Sequence, residues 1–144
     1  DLAEKLSSQL KISLQQGAQL VLGGDRDNCN FQPTLIDFVD ANNITFQEET
    51  FGPLATLIRA KDENDAVSIA NNHRYGLAAA IWTEDRDRAY QLARKIEAGN
   101  VFVNSLVRSD SRIPFGGIKK SGYGRELSEI GIKEFMNMKS VIIE

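Results

Sequence analysis

Cys29 is the chain's one thiol and lies between Asn28 and Asn30 in a run of polar turn residues. A catalytic thiol needs a lowered pKa, set by a neighbouring base or a helix N-terminus. The residues around Cys29 supply neither, so we expect it to be unreactive. The one histidine, His73, sits in Asn71-Asn72-His73-Arg74-Tyr75-Gly76. Without a second histidine or a cysteine partner it is not expected to hold a metal. A place near a helix C-terminus, where its cationic form is favoured, is the modest reading. Glu48 and Glu49 precede Thr50-Phe51-Gly52-Pro53. Neighbours on an extended chain point to opposite sides, so the two carboxylates cannot face one substrate atom. One of them could accept hydrogen bonds from ribose hydroxyls; a solvated loop is the plain alternative.

The stretch Pro114-Phe115-Gly116-Gly117-Ile118-Lys119-Lys120-Ser121-Gly122-Tyr123-Gly124-Arg125-Glu126 invites comparison with phosphate loops. A Walker loop places Gly-Lys-Ser/Thr after Gly and four residues. Gly117 and Gly122 have that spacing, but Tyr123 stands where the lysine must be. The dinucleotide fingerprint fails as well, because Leu127 occupies the third glycine position after Gly122 and Gly124. The expected role is a connection whose glycines take positive φ or allow close backbone approach.

The elements that must position these residues follow from periodicity. Leu2, Leu6, Leu10 and Leu14 recur at helical spacing, with Gly17 as a stop. Gln19–Leu22 suits a strand, Gly23-Gly24-Asp25 and Asn28 mark a turn, and Pro33-Thr34-Leu35-Ile36 suggests an extended piece. Leu54–Arg59 reads as a strand. Asp62 or Asn64 can cap a helix carrying Ala66, Val67, Ile69 and Ala70. Leu77–Thr83 reads as a strand, Ala89, Leu92, Ala93 and Ile96 as a helix face, and Asn100–Asn104 as another strand. A βαβαβ order favours an α/β fold with parallel pairing, buried on both faces. A helix from about Glu126 to Phe135 and a terminal apolar run, Val141-Ile142-Ile143, complete the chain.

Composition narrows the classes. The 144 residues are 42% hydrophobic, which supports a packed core. The net charge is −3, against a general nucleic-acid binder. Residues 105–125 are the exception, with Arg108, Arg112, Lys119, Lys120 and Arg125 against only Asp110. No apolar run approaches the roughly 18–20 residues of a membrane span. The chain begins with Asp1 rather than Met, so we expect a piece of a longer protein.

Four motifs taken in order resemble the C-terminal part of the NAD(P)-dependent aldehyde dehydrogenase superfamily. They are Glu48-Glu49-Thr50-Phe51-Gly52-Pro53, Tyr75-Gly76-Leu77-Ala78-Ala79-Ala80, Gly99-Asn100-Val101-Phe102-Val103-Asn104, and Pro114-Phe115-Gly116-Gly117 through Arg125-Glu126. Arg108-Ser109-Asp110-Ser111-Arg112-Ile113-Pro114-Phe115 looks most like the succinate-semialdehyde branch. The resemblance implies a partial catalytic domain, a parallel-rich sheet flanked by helices, plus an oligomerisation tail. Its parts would be residues 1–113, the second half of the catalytic domain; 114–137, the glycine-rich connection and helix; and 138–144, a strand made for another subunit.

The resemblance also implies roles. Glu49 would bind the nicotinamide ribose and Phe51 would lie against the nicotinamide end of NAD or NADP. Phe115 would line the aldehyde tunnel, and Ser109 would help hold the substrate carboxylate. The implied reaction is thiolate attack on the aldehyde, hydride transfer to NAD(P), then hydrolysis of the thioester. Family members are much longer, and their nucleophilic cysteine lies upstream of every motif present here. Cys29 does not match its surroundings, so no catalytic residue is assigned and this chain alone is expected to be inactive. The expected parent is a cytoplasmic homo-oligomer acting on a small aldehyde, with no nucleic-acid or membrane partner. The competing reading is a non-catalytic module that binds an anion through 105–125 or serves assembly.

Overall fold

Leu6, Gln9, Leu10 and Ser13 share one face of a helix, and that face is where the core begins. In the computed structural model, which describes residues 1–144, they are the buried residues of helix α1 (Leu2–Gln15). Asp1 caps it by accepting from the Leu2 N–H at 2.6 Å, and Gly17 leaves it at φ +102°, a conformation glycine adopts freely. The leucine stripe is core only in its middle, since Leu2 is 60% exposed.

The chain divides into two units, Asp1–His73 and Arg74–Glu144. In the first, α1 is followed by β1 (Gln19–Leu22), β2 (Arg26–Asp27), β3 (Asn30–Phe31), β4 (Thr34–Asp37), α2 (Ile44–Gln47), β5 (Leu54–Thr56) and α3 (Glu63–Asn71). The sheet order is β1-β4-β5. β1 runs antiparallel to β4 with a register shift between Leu20 and Leu22, and β4 runs parallel to β5 with Thr34 opposite Leu54. β2 and β3 form a hairpin around Asn28-Cys29, with Asn28 at φ +53°. Leu6, Leu10, Ile36, Val39, Phe46 and Leu54 form the core between α1 and the sheet.

A buried polar network ties α2 to α1. Asn43, the cap of α2 and 1% exposed, accepts from the Ser13 hydroxyl at 2.7 Å and from the Thr45 N–H at 3.1 Å. Its amide donates to the Ser13 carbonyl at 3.1 Å. Burial at this site is tolerated because the polar groups are satisfied.

The strand expected over Leu54–Arg59 stops at Thr56. Its parallel partner β4 ends at Asp37, and Phe38 turns away at φ +58°. Leu57 donates to the Ile36 carbonyl at 2.8 Å and the ladder has no further partner. Asp62, rather than Asn64, caps α3 by accepting from the Asp65 N–H at 2.9 Å.

The second unit contains β6 (Tyr75–Gly76), β7 (Ala78–Ile81), α4 (Arg86–Ala93), β8 (Asn100–Val103), β9 (Ile118–Lys119) and α5 (Ser128–Lys133). β7 runs parallel to β8, from Ala78 opposite Asn100 to Ile81 opposite Val103, and β6 runs antiparallel to β9. Asp85 caps α4 through the Arg88 N–H at 2.9 Å. The fold is therefore α/β with parallel pairing at β4–β5 and β7–β8.

Burial on both faces holds for β4 but not for β7 and β8, whose residues are half-buried or exposed. The helix expected from Glu126 to Phe135 is shorter at both ends: it starts late because Leu127 sits at φ +63°, outside helical backbone, and it ends at Lys133. Residues 137–144 carry no helix or strand, and Met138, Ile142 and Ile143 are exposed. The boundary between units falls at 73/74, within the segment read from sequence as 1–113. No helix is long and apolar enough to cross a membrane.

Candidate functional site

Glu49 and Phe51 sit on the loop between α2 and β5. Two tight turns shape it. The Gly52 N–H donates to the Thr50 carbonyl at 3.0 Å around Phe51, and the Leu54 N–H donates to the Gly52 carbonyl at 2.8 Å around Pro53. The fixed φ of proline suits such a three-residue turn. The Thr50 hydroxyl donates to the Leu54 carbonyl at 3.2 Å, and the Thr34 N–H donates to the Pro53 carbonyl at 2.8 Å. Gly52 packs so closely on Leu6 that a methyl group there would collide with Leu6 Cδ2.

The backbone is thus fastened while the side chains are not covered. Glu49 is exposed, Glu48 is half-buried, and Phe51 is 68% exposed. An exposed carboxylate and an exposed aromatic ring on a fixed loop fit one end of a dinucleotide. The carboxylate accepts from ribose hydroxyls, and the ring offers an apolar wall.

Phe115 and Ser109 lie in the second unit, between β8 and β9. Asn100 of β8 brackets Phe115. Its amide donates to the Pro114 carbonyl at 2.9 Å, and its oxygen accepts from the Gly116 N–H at 3.1 Å. Phe115 and Glu126 exchange backbone hydrogen bonds of 2.9 and 2.8 Å. Phe115 is half-buried and lines a groove with Leu77, Tyr123, Arg125 and Phe135. Asn100 belongs to a motif recognised in the sequence, but nothing in its local pattern marked it as the residue holding Phe115. The glycines around it are structural, as expected. Gly122 and Gly124 take φ +127° and +77°, and Gly99 lies against the Gly116 carbonyl with no space for a methyl group.

Ser109 is exposed on a segment with neither helix nor strand. Its two neighbouring arginines are unlike. Arg112 binds Asp110 through Nε at 2.9 Å, Nη2 at 2.6 Å and its backbone N–H at 3.0 Å. These hydrogen bonds, led by the side-chain pair, hold the Asp110 carboxyl well below the usual carboxylate range and raise Arg112 in turn. Arg112 is therefore committed to an internal anion, and Arg108 is the exposed cation beside Ser109.

Two other cations of the basic stretch are also engaged. Lys119 pairs with Glu97 at 2.6 Å. Arg125 donates to the Gly117 and Gly124 carbonyls at 3.0 and 2.6 Å. Cys29 is exposed at the hairpin tip. His73 lies just beyond the C-terminal end of α3, edge-on to Phe46 with ring centroids 6.4 Å apart.

Comparison with known proteins places this geometry among relatives. The profile of the aldehyde dehydrogenase family matches residues 1–141. Succinate semialdehyde dehydrogenase (NAD(P)+) Sad of Escherichia coli K12 is 43% identical over 98% of this chain and 31% of its own length. A lactaldehyde dehydrogenase of Methanococcus maripaludis is 39% identical over 98% of this chain and 30% of its own. The crystal structure of succinic semialdehyde dehydrogenase from Streptococcus pyogenes in complex with NADP+ superposes with a TM-score of 0.95 at 37% identity, covering 99% of this chain and 32% of that one. The chain thus spans about a third of the length of the relatives it matches.

Proposed function

The chain belongs to the aldehyde dehydrogenase family, and on that premise we propose that it is part of an NAD(P)-dependent enzyme oxidising succinate semialdehyde to the carboxylic acid. The observation that carries this reading is the Glu49–Phe51 loop, whose backbone is fastened to α1 and β4 while its carboxylate and ring are exposed. The named specificities of the Escherichia coli and Streptococcus pyogenes relatives support the substrate.

When bound, NAD or NADP takes up the hydride that leaves the aldehyde carbon. This chain's part is binding and orientation. The Glu49 carboxylate accepts from the nicotinamide ribose hydroxyls, and the Phe51 ring backs the nicotinamide. Phe115 forms an apolar wall for the aldehyde chain and excludes water along it. The Ser109 hydroxyl donates to the distal carboxylate, with Arg108 as the nearby cation in sequence. No nucleophile is assigned within the chain, because Cys29 sits exposed on a two-residue hairpin turn. We place the parent in the cytoplasm as a homo-oligomer joined through the exposed apolar tail.

The competing reading, an anion-binding module, is weaker. Arg112 and Lys119 are paired with carboxylates and Arg125 spends donors on backbone carbonyls, so three of the stretch's five cations are already engaged within the chain. The test is reduction of NAD(P)+ by the full-length parent with succinate semialdehyde and with lactaldehyde. The expected result is a higher kcat/KM for succinate semialdehyde. A preference for lactaldehyde overturns the substrate assignment, and no reduction with either overturns the enzymatic reading.

A further inference from the structure

We infer that Gln9 is a positioning residue for the cofactor loop, holding the backbone of Glu49 so that its carboxylate is aimed before the dinucleotide arrives. The inference rests on the assignment of Glu49 to the nicotinamide ribose. Gln9 lies in the middle of α1 and is 5% exposed, a rare place for an uncharged amide unless it is paired. Its Nε2 donates to the Glu49 carbonyl at 3.4 Å, across forty positions of sequence. Its helical neighbours act on the same segment. Leu6, one turn before, fills the space against Gly52, and Ser13, one turn after, holds Asn43 at the start of α2.

One face of α1 therefore contacts the α2–loop segment at three successive points, before, at and after the carboxylate-bearing residue. Of the three, Gln9 is the one that hydrogen-bonds Glu49 itself, and it does so at the main chain. The Glu49 side chain is left for a ligand. Neither Leu6 nor Ser13 can take over this role, because a hydrocarbon has no donor and the Ser13 hydroxyl is already given to Asn43. The bond is part-buried, and a carbonyl that loses its donor there would seek another partner, water included, by shifting the loop. A shift of an ångström at a contact that orients a reacting group costs rate rather than fold.

The experiment is a double-mutant cycle in the full-length parent at pH 8, reading single-turnover hydride transfer with saturating NAD(P)+ and succinate semialdehyde, alongside Tm. Gln9→Met keeps the volume and removes the donor. Gln9→Leu keeps a helix-forming side chain of similar bulk and likewise has no donor. Each Gln9 variant is expected to slow hydride transfer about three- to tenfold while Tm stays within a few degrees. In a Glu49→Gln background the same changes are expected to cost less than about twofold, because the group they aim is already altered. If Glu49→Gln slows the step but the Gln9 variants do not, or if the two effects multiply independently, the inference falls and the assignment of Glu49 stands. If Glu49→Gln itself changes nothing, the assignment falls and the inference with it. Loss of folded protein in both Gln9 variants shows a structural role and also overturns the inference.

Discussion

Ser109 is exposed beside one exposed arginine, Arg108, and one that is hydrogen-bonded to Asp110. If its hydroxyl donates to the distal carboxylate of the substrate, Ser109→Ala loses a hydrogen bond to a charged group, about 1.5–3 kcal/mol. The expected outcome is a fall of roughly tenfold or more in kcat/KM for succinate semialdehyde, with little change for an uncharged aldehyde of similar length. Equal losses on both substrates remove the reason to assign the contact. At this scale the sequence singled out candidates for meeting a ligand, through ordered motifs around Glu49, Phe51 and Phe115. It did not show which groups were already taken. Arg112 and Asp110 are two residues apart, and spacing alone does not say which anion a guanidinium faces. Gln9 and Asn100 were invisible for a related reason, since each acts on main-chain atoms far along the chain, 40 positions away for Gln9 and 14 for Asn100.

Elements place these residues by close backbone approach. Gly99, just before β8, lies against the carbonyl of Gly116, so a side chain there must push apart the start of the strand and the segment carrying Phe115. Gly99→Ala is expected to destabilise the parent by about 2–4 kcal/mol, since backbone cannot give way as a side-chain tip can. Urea unfolding midpoints would check this, and an unchanged midpoint would show that the approach is not tight. Elements with strong periodicity or clear stops were legible: α1 between Asp1 and Gly17, β1, β4, α3 and β8 all lie where pattern puts them. The misses were set by partners. β5 is short because β4 runs out at Asp37, and the β2–β3 hairpin is too short to show alternation. α5 starts late because Leu127 leaves helical backbone.

For the whole molecule, the chain by itself carries the proposed pocket wall and ribose contact but no assigned nucleophile. The chain alone is expected to reduce no NAD(P)+ with succinate semialdehyde. Activity that disappears with Cys29→Ala would contradict this. The tail, residues 138–144, is exposed and apolar on both sides of an extended path: Val141 and Ile143 would face one side and Ile142 the other. An unpaired segment of this kind needs a partner edge, so its deletion from the parent is expected to give dissociated or aggregated protein by light scattering. An unchanged oligomer would show that the tail is not needed for assembly. The proposed part in hydride transfer rests on the Glu49 loop placing the nicotinamide, and Glu49→Gln in the parent tests that most directly. A charge-assisted acceptor becomes a neutral amide, a loss of about 1.5–3 kcal/mol. Single-turnover hydride transfer is expected to slow by roughly tenfold or more with Tm unchanged. A rate equal to that of the unaltered enzyme, with saturating cofactor and aldehyde, would contradict the assignment.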